Sequence, residues 1–201
     1  KIKIDTIIHL ASGVGVNTYI SDPYNLISNI FKTTENIIKF SQFKKAHLVY
    51  ASTSEIYGKN PKIPWKENDD RVLGPTKISR WSYSSVKSTC EHLIYGIKKL
   101  NPSFKFTIVR FFNAYGPYQA NNFVISSFMN KILNKKKILI YDNGKMKRCF
   151  TYIDDIVLCL EKLINSKISY NETFNIGSNK AYSIIDVKKK IEKILNRKIK
   201  F

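Results

Sequence analysis

Short apolar runs alternate with amphipathic segments along the chain. The runs at 6–10, 47–51 and 105–110 have the length of buried strands. Residues 25–41 and 78–100, which lie between these runs, place their apolar residues at helical spacing. Because buried strands that alternate with helices form parallel sheets, the first half of the chain predicts an α/β fold.

The second half of the chain continues this alternation with shorter elements. We expect helices at 123–133, 153–164 and 183–195, an extended segment at 138–141 and a strand at 173–176. Residues 58–75, in contrast, hold three of the six prolines and predict a loop. Since loops of this length are uncommon unless they have a role, this segment is a candidate functional loop.

The chain is strongly basic, with 34 Lys and Arg residues against 15 Asp and Glu residues and a net charge of +19. Only five of the basic residues are Arg, the side chain that makes bidentate contacts to bases and phosphates. The lysines are scattered, which favours a solvated lysine-rich surface over a nucleic-acid footprint. We therefore expect no nucleic-acid partner, and a basic pocket for an anionic small molecule stays open.

Neither a membrane span nor a metal site is expected. No stretch of about 18 apolar residues is free of charge, so a transmembrane helix is excluded. The three cysteines, Cys90, Cys149 and Cys159, are widely spaced and match no metal-ligand pattern. An odd number of unpaired cysteines predicts a reducing, cytoplasmic location. We expect Cys149 and Cys159 to be buried as apolar residues.

The strongest local signal is the pair Tyr83 and Lys87 within the predicted helix 78–100. Residues four apart lie on one face of a helix, so the phenol and the ammonium are neighbours. A positive charge beside a phenol favours the phenolate, which makes Tyr83 a candidate general base. Ordinary amphipathic helices also contain Y-x-x-x-K, so this spacing by itself leaves a structural role open.

Hydroxyl side chains follow the second predicted strand. Ser52, Thr53 and Ser54, and then Glu55, stand just beyond Ala51. Parallel α/β sheets bind their ligands at this carboxyl edge, although a strand-ending turn with local side-chain hydrogen bonds also accounts for such a segment. A hydroxyl at a strand end and a Tyr/Lys pair on the next helix together form a candidate catalytic set.

This set resembles the short-chain dehydrogenase/reductase superfamily, and in particular its extended branch, the NAD-dependent epimerase/dehydratase family that acts on nucleotide sugars. Similar motifs follow one another in the family's order over nearly the whole chain. They are Asp5-Thr-Ile-Ile-His-Leu-Ala11, Asp22-Pro23 with the helix from Asn29 to Asn36, Ala51-Ser-Thr-Ser-Glu-Ile-Tyr-Gly58, Trp81-Ser-Tyr-Ser-Ser-Val-Lys87, Arg110-Phe-Phe-Asn-Ala-Tyr-Gly-Pro117, Lys147-Arg-Cys-Phe-Thr-Tyr-Ile-Asp-Asp155 and Phe174-Asn-Ile-Gly177. Lys32 is a small departure, because the family usually has Gly there.

The resemblance implies a Rossmann-like doubly wound parallel sheet with a smaller C-terminal α/β substrate domain. We expect a partial NAD-binding domain over 1–115 and a partial nucleotide-sugar-binding domain over 116–201 that is interleaved with the first. Gly13-Val-Gly15 is not the dinucleotide fingerprint, because Thr18 occupies the third glycine position. The resemblance places the fingerprint upstream of this chain, so we expect a fragment that binds NAD poorly. The resemblance also assigns the last strand, 173–176, to the substrate domain.

The resemblance also implies a mechanism. Tyr83 removes the proton of the sugar 4-hydroxyl while NAD takes the hydride of C4. Lys87 holds the cofactor ribose and stabilises the phenolate, and Thr53 hydrogen-bonds the developing 4-keto oxygen. The sugar therefore reacts through a 4-keto intermediate.

Binding residues are implied in the same way. The substrate is a nucleotide sugar, for which a UDP-sugar is expected, and the complete enzyme is expected to be a homodimer. The residues beside the nicotinamide ribose are Leu10, Ala11 and Ser12, and those that hold the sugar nucleotide and its diphosphate are Asn113 and Arg148.

Ser54 and Glu55 bear on what becomes of the 4-keto sugar. Family dehydratases typically carry Asp-Glu at this point, and Ser54 is a poor acid, so the pair disfavours 4,6-dehydration. Ser-Glu resembles the UDP-glucuronate decarboxylases, as does Arg80-Trp81 before the tyrosine. In an extended chain Glu55 would point to the same side as Thr53 and serve as an acid/base near C5. We expect a decarboxylase, and a UDP-sugar 4-epimerase or a non-catalytic remnant stays open.

Overall fold

Strands and helices alternate through most of the chain. The computed structural model describes residues 2–13, 20–140, 142–196 and 198. In chain order the elements are β1 (Thr6–His9), α1 (Pro23–Lys44), β2 (His47–Thr53), α2 (Ser82–Leu100), β3 (Phe106–Phe111), β4 (Asn113–Tyr115), α3 (Val124–Leu133), β5 (Lys147–Tyr152), α4 (Ile153–Ile164), β6 (Glu172–Ile176), β7 (Ala181–Ser183) and α5 (Ile184–Leu195).

The structure divides into two units, of which the first contains residues 1–111 and 159–176. Its sheet has the order β1-β2-β3-β6, and all neighbouring strands are parallel. Every residue of β2, the second strand of this sheet, is buried. This parallel α/β architecture confirms the predicted fold class.

The two long helices of this unit pack against the sheet through apolar faces. In α1, Leu26, Ile30 and Ile38 recur at multiples of four and are buried in the core together with residues of α2. Asp22 starts α1, because its carboxylate accepts the backbone N–H of Asn25 at 3.2 Å. This packing holds the first turn of α2 beside the carboxyl end of β2.

The second unit contains residues 112–158 and 177–201. Its sheet has the order β4-β5-β7, with β4 parallel and β7 antiparallel to β5. Helices α3 and α5 supply most of its apolar core, and Ser183 caps α5 in a capping box with Asp186. The fully or nearly buried residues of this core are Phe128, Ile132, Ile138, Val187 and Ile191.

Several expectations from the sequence differ from the structure. Strand β6 pairs with β3 in the first sheet and not with the strands of the second unit, where the resemblance had placed it. Residues 138–140 are not a strand, whereas β4, β5 and β7 were not predicted. Gly15 and Thr18 lie outside the described residues.

The three cysteines differ in burial. Cys90 is buried and Cys149 is half-buried, but Cys159 is exposed, so the predicted burial of Cys159 is wrong. Cys159 lies on α4 next to Leu158, which is also exposed, because this side of the helix faces away from the core. Within the described residues, no helix is long and apolar enough to cross a membrane.

Candidate active site

The chain leaves the sheet in a tight turn at the end of β2. Residues Ser54–Tyr57 form a 3₁₀ turn, and the hydroxyl of Thr53 accepts the backbone N–H of Glu55 at 3.2 Å. This cap bends the chain directly after Thr53. The extended geometry expected for Glu55 relative to Thr53 is therefore wrong, because a side-chain cap replaces the strand at that point.

Tyr83 and Lys87 lie in the first turns of α2, and both are buried. The Nζ of Lys87 donates a hydrogen bond to the carbonyl oxygen of Ala51 at 2.7 Å. It also lies 4.9 Å from the ring centroid of Tyr50 and 5.9 Å from that of Tyr83. The ammonium is thus fixed between the helix that carries Tyr83 and the strand that ends at Thr53.

Burial sets the electrostatics of this lysine. It lowers the pKa of Lys87 from the usual 10.5 to about 8, against the opposing effect of Cys90 and Glu91. His9 at the end of β1 has a lowered pKa, first because it is buried and second because Lys87 is near. At neutral pH the site therefore presents a charged lysine beside a neutral imidazole.

A buried ion pair lies behind the turn. Ser52 and Arg110 are direct neighbours across β2 and β3, and both reach the carboxylate of Glu91 on α2. Burial lowers the pKa of Arg110, but the hydrogen bonds and charge of Glu91 and the hydrogen bond to Tyr57 together raise it more, so its guanidinium is charged throughout. These contacts join two strands and a helix at the carboxyl edge of the sheet.

The same guanidinium anchors the loop at 58–78. Arg110 Nη1 donates to the hydroxyl of Tyr57 at 2.8 Å and to the backbone oxygen of Glu67 at 2.7 Å. Tyr57 in turn donates to Asn175 Oδ1 at 2.8 Å and stacks on Trp65 with 5.0 Å between ring centroids. The long loop is therefore held against the sheet by side chains from its own unit.

Glu55 forms an ion pair with Arg80, which lies in the 3₁₀ turn Ser79–Trp81 before α2. Both side chains are about one-third exposed. The pair ties the turn after β2 to the turn that precedes Tyr83. It brings the carboxylate predicted to act near C5 to the end of the sheet at which Thr53 lies.

The residues predicted to border a nicotinamide ribose lie at this same edge. Leu10 and Ala11 are exposed at the carboxyl end of β1, Ser12 is half-buried beside them, and β1 is an edge strand of the sheet. The donors on Tyr83 and Lys87 are of the kind that bind ribose hydroxyls. This donor set fits the nicotinamide half of NAD.

The two predicted substrate-binding residues belong to the second unit and lie close together there. Asn113 begins β4 and donates from Nδ2 to the backbone oxygen of Cys149 at 3.2 Å, the residue after Arg148 in β5. Both Asn113 and Arg148 are exposed, and Arg148 donates to the backbone oxygen of Lys147 at 2.8 Å. Both side chains are therefore at the surface of the second unit, and each donates one hydrogen bond to the backbone.

Sequence reasoning missed Glu91, Glu67 and the hydroxyl of Tyr57. Only Glu91 had a readable signal, because it extends the four-residue spacing of Tyr83 and Lys87 by one more turn of α2. Tyr57, in the turn Ser54–Tyr57, and Glu67, in the loop that follows it, meet Arg110 through folding of segments whose sequence carries no period. Among the described residues, no cluster of three or more His, Cys, Asp or Glu side chains has the arrangement of a metal site.

Comparison with known proteins identifies the family. The model of the NAD dependent epimerase/dehydratase family matches residues 1–177. The chain is 37% identical to a UDP-N-acetyl-alpha-D-glucosaminuronate decarboxylase of Bacillus cytotoxicus. The alignment of 193 residues covers 94% of this chain and 59% of that protein. The chain is also 34% identical to a dTDP-D-glucose 4,6-dehydratase of Dictyostelium discoideum. That alignment of 203 residues covers 95% of this chain and 45% of that protein.

A solved structure agrees with these sequence relatives. The UDP-glucuronic acid 4-epimerase from Bacillus cereus, in complex with UDP-glucuronic acid and NAD, matches with a TM-score of 0.88 and 26% identity. The match covers 98% of this chain and 61% of that one, so the chain spans about three-fifths of the neighbour's length. The cofactor of the family is NAD. The chain belongs to the NAD-dependent epimerase/dehydratase family, which acts on nucleotide sugars.

Proposed function

We propose that this protein modifies a UDP-sugar through a 4-keto intermediate, and that its reaction is the decarboxylation of a UDP-glucuronate. The observation that carries the proposal is the placement of Lys87. Its ammonium bonds Ala51, two residues before Thr53, and lies one helical turn from Tyr83. A base, a cation and a hydroxyl at one strand end are the groups that oxidation of a sugar hydroxyl requires.

Each of these groups has a definite task in the proposed reaction. When bound, NAD accepts the hydride of C4 and later returns it. Tyr83, as a phenolate that Lys87 stabilises, takes the proton of the 4-hydroxyl and becomes a phenol, and Thr53 donates a hydrogen bond to the 4-keto oxygen. Leu10, Ala11 and Ser12 are proposed to border the nicotinamide ribose.

Decarboxylation follows from the ketone. A 4-keto uronic acid is a β-keto acid, so its C5–C6 bond breaks, carbon dioxide leaves, and the electron pair passes into an enolate over C4 and C5. A proton must then be delivered to C5 before the ketone is reduced. We assign this transfer to Glu55, which takes up a proton from solvent and passes it to C5, with Arg80 holding the side chain in position.

Alternative chemistries of the same ketone are less well supported. A 4-epimerase needs only Tyr83, Thr53 and NAD, and it is the activity named for the Bacillus cereus neighbour. A 4,6-dehydratase needs an acid to expel the C6 hydroxyl, and Ser54, half-buried in the turn after Thr53, is a poor one. Glu55, which an epimerase does not require, favours decarboxylation.

For the substrate, we assign the diphosphate to Arg148 and the sugar nucleotide to Asn113. The guanidinium matches paired phosphoryl oxygens, and the amide offers both a donor and an acceptor to sugar hydroxyls. We further propose a homodimer on the basis of the family resemblance, which sedimentation velocity would test.

The experiment that tests this function supplies the full-length protein with NAD and UDP-glucuronate. It measures carbon dioxide release, C4 epimer formation by NMR, and NADH absorbance. We expect Glu55→Gln to abolish continuous carbon dioxide release, because an intermediate that is not protonated at C5 cannot be reduced and released, while C4 oxidation, seen as NADH, is largely kept. Glu35→Gln, at the exposed pair with Lys39, is the matched control and should change neither signal.

The competing results are distinct. Interconversion of C4 epimers without carbon dioxide release, together with a harmless Glu55→Gln, would replace the decarboxylase by the epimerase. With UDP-glucose supplied in place of UDP-glucuronate, loss of the C6 hydroxyl as water would indicate a dehydratase. No NADH signal and no saturable binding of UDP-glucuronate would indicate a non-catalytic protein.

A further inference from the structure

A buried carboxylate lies one helical turn beyond Lys87. Glu91 is 5% exposed, and its two oxygens receive three hydrogen bonds. Oε1 accepts from Ser52 Oγ at 2.5 Å and from Arg110 Nε at 3.1 Å, and Oε2 accepts from Arg110 Nη2 at 2.7 Å. The carboxylate is therefore fixed from both β2 and β3, in a fork geometry that only Arg provides.

Lys87 and Glu91 share one face of α2, because they are four residues apart. The ammonium nevertheless donates to the carbonyl oxygen of Ala51, while the donors to Glu91 come from Ser52 and Arg110. The carboxylate of Glu91 therefore acts on the ammonium of Lys87 by electrostatic attraction and not through a direct hydrogen bond. A direct pair between them would compete with the bond to Ala51.

We propose that Glu91 and Arg110 are positioning residues for Lys87: Arg110 holds the carboxylate of Glu91 in place, and that carboxylate keeps the buried lysine charged at the Ala51 carbonyl. The inference rests on the proposed catalytic role of Tyr83 and Lys87, since only a charged lysine stabilises a phenolate. Desolvation acts in the opposite direction, because a buried ammonium with no anion nearby loses its proton.

The other titratable groups around Lys87 do not replace this anion. His9 faces it from β1, and Tyr50 faces it from β2. Burial lowers the pKa of His9 and raises the pKa of Tyr50, so both are neutral near pH 7. On α2 itself the neighbours are Tyr83, the proposed base, and Cys90, a buried thiol. Cys90 and then Glu91 raise the pKa of Lys87 against burial, and within the described part of the chain Glu91 is the carboxylate of the two.

The test is an NMR titration of Lys87 in the whole chain labelled with ε-¹³C-lysine, without cofactor or sugar. Loss of one resonance in Lys87→Met identifies its signal. In Glu91→Gln we expect the acid dissociation constant of Lys87 to rise about tenfold, because an isosteric amide removes the fixed charge. Glu35→Gln, which removes an exposed carboxylate from α1, should leave the titration unchanged.

The direction of the change distinguishes this role from a merely structural one. If Glu91 only maintained packing, its replacement would admit water, and Lys87 would titrate at higher pH, nearer to its usual value. An unchanged or higher midpoint in Glu91→Gln therefore overturns the proposal.

A second variant covers the case in which Glu91→Gln does not fold. The double variant Glu91→Met with Arg110→Met replaces the buried pair by apolar side chains of similar length, a change that proteins often tolerate. We expect a smaller rise in the same direction, because the positive charge of Arg110 leaves together with the negative charge of Glu91, and an unchanged Lys87 titration would again refute the proposal. If the protein releases carbon dioxide but the Lys87 titration does not change, the proposed function stands and the positioning role of Glu91 fails. If the titration changes as expected but no sugar reacts, the positioning role stands and the proposed function fails.

Discussion

The ammonium of Lys87 and the carbonyl oxygen of Ala51 are 2.7 Å apart, and Lys87 is only 2% exposed. A charged group is thus buried for a reason other than stability, since burial lowers the pKa of Lys87 to about 8. The unfolded chain binds the proton more tightly than the folded one does. The folded state therefore gains stability as the pH rises from 8 to 10.5.

Lys87→Met should stabilise the protein at pH 7 while it removes C4 oxidation. The charged lysine costs about 3 kcal/mol by its shifted titration, and the lost bond to Ala51 returns about 1 kcal/mol of that cost. We expect a net gain of about 2 kcal/mol in urea unfolding at pH 7, and a flatter dependence of stability on pH between 8 and 10.5. A loss of stability at pH 7 would contradict this account.

His47 should make the protein sensitive to acid. Burial in the first place, and Lys105 in the second, lower its pKa from 6.5 to about 4, and its Nε2 lies 2.8 Å from Thr107 Oγ1. The unfolded chain therefore binds more protons between pH 6.5 and 4, so the contribution of His47 is present above pH 6.5 and is lost as the pH falls toward 4. This contribution to the free energy of unfolding is about 3 kcal/mol.

The check is urea unfolding of the wild type and of His47→Gln at pH 7 and pH 4.5. The variant should lose less stability between the two pH values than the wild type loses. His92→Gln, at an exposed position of α2, serves as the control and should behave as the wild type does. Parallel losses in all three proteins would show that His47 is not the acid-sensitive group.

Two glycines should respond in opposite ways to the same substitution. Gly58, after the turn Ser54–Tyr57, has φ = 61°, and a Cβ there would collide with the backbone oxygen of Val72. Gly96 lies inside α2, where a Cβ would meet nothing within 4 Å. Gly58→Ala should destabilise the protein by about 2 kcal/mol or more, whereas Gly96→Ala should stabilise it by about 0.5–1 kcal/mol. Thermal unfolding of both variants provides the measurement, and equal signs would be inconsistent with this loop geometry.

Arg148 should account for diphosphate binding despite the 34 basic residues of the chain. Its guanidinium forms a fork of donors that scattered lysines do not offer. We expect Arg148→Ala to weaken UDP-glucuronate binding about tenfold or more, measured by calorimetry. Lys136→Ala, an exposed position of the same unit, is the control and should have little effect. Equal effects would point to diffuse electrostatic attraction.

Periodic segments were predictable from the sequence because their signal is local. The apolar runs that became β1, β2 and β3 and the four-residue spacing in α1 and α2 depend only on neighbouring positions. The pairing of Tyr83 with Lys87 follows from the same helical spacing. The motif after β2 marked the carboxyl edge of the sheet, where ligands bind in this class of fold.

Short strands escaped prediction because they have too few residues to show a period. Strands β4 and β7 are three residues long, and β5 carries exposed polar residues at its start. Strand β6 was visible as an extended segment, but its partner was not. Pairing with β3 is decided by hydrogen bonds between segments more than 60 residues apart, which no local pattern encodes.

Sequence by itself thus determined the fold class and the candidate catalytic groups Thr53, Tyr83 and Lys87, because helix and strand periods place such residues without further information. Only the tertiary structure decided what surrounds them. Glu55 turned out of the strand because Thr53 caps its N–H, and it met Arg80. Glu91 gained its partners because Ser52 and Arg110 lie side by side on neighbouring strands. Contacts of this kind depend on how distant segments pack, and it is packing that determines which charges are buried and which partners hold them.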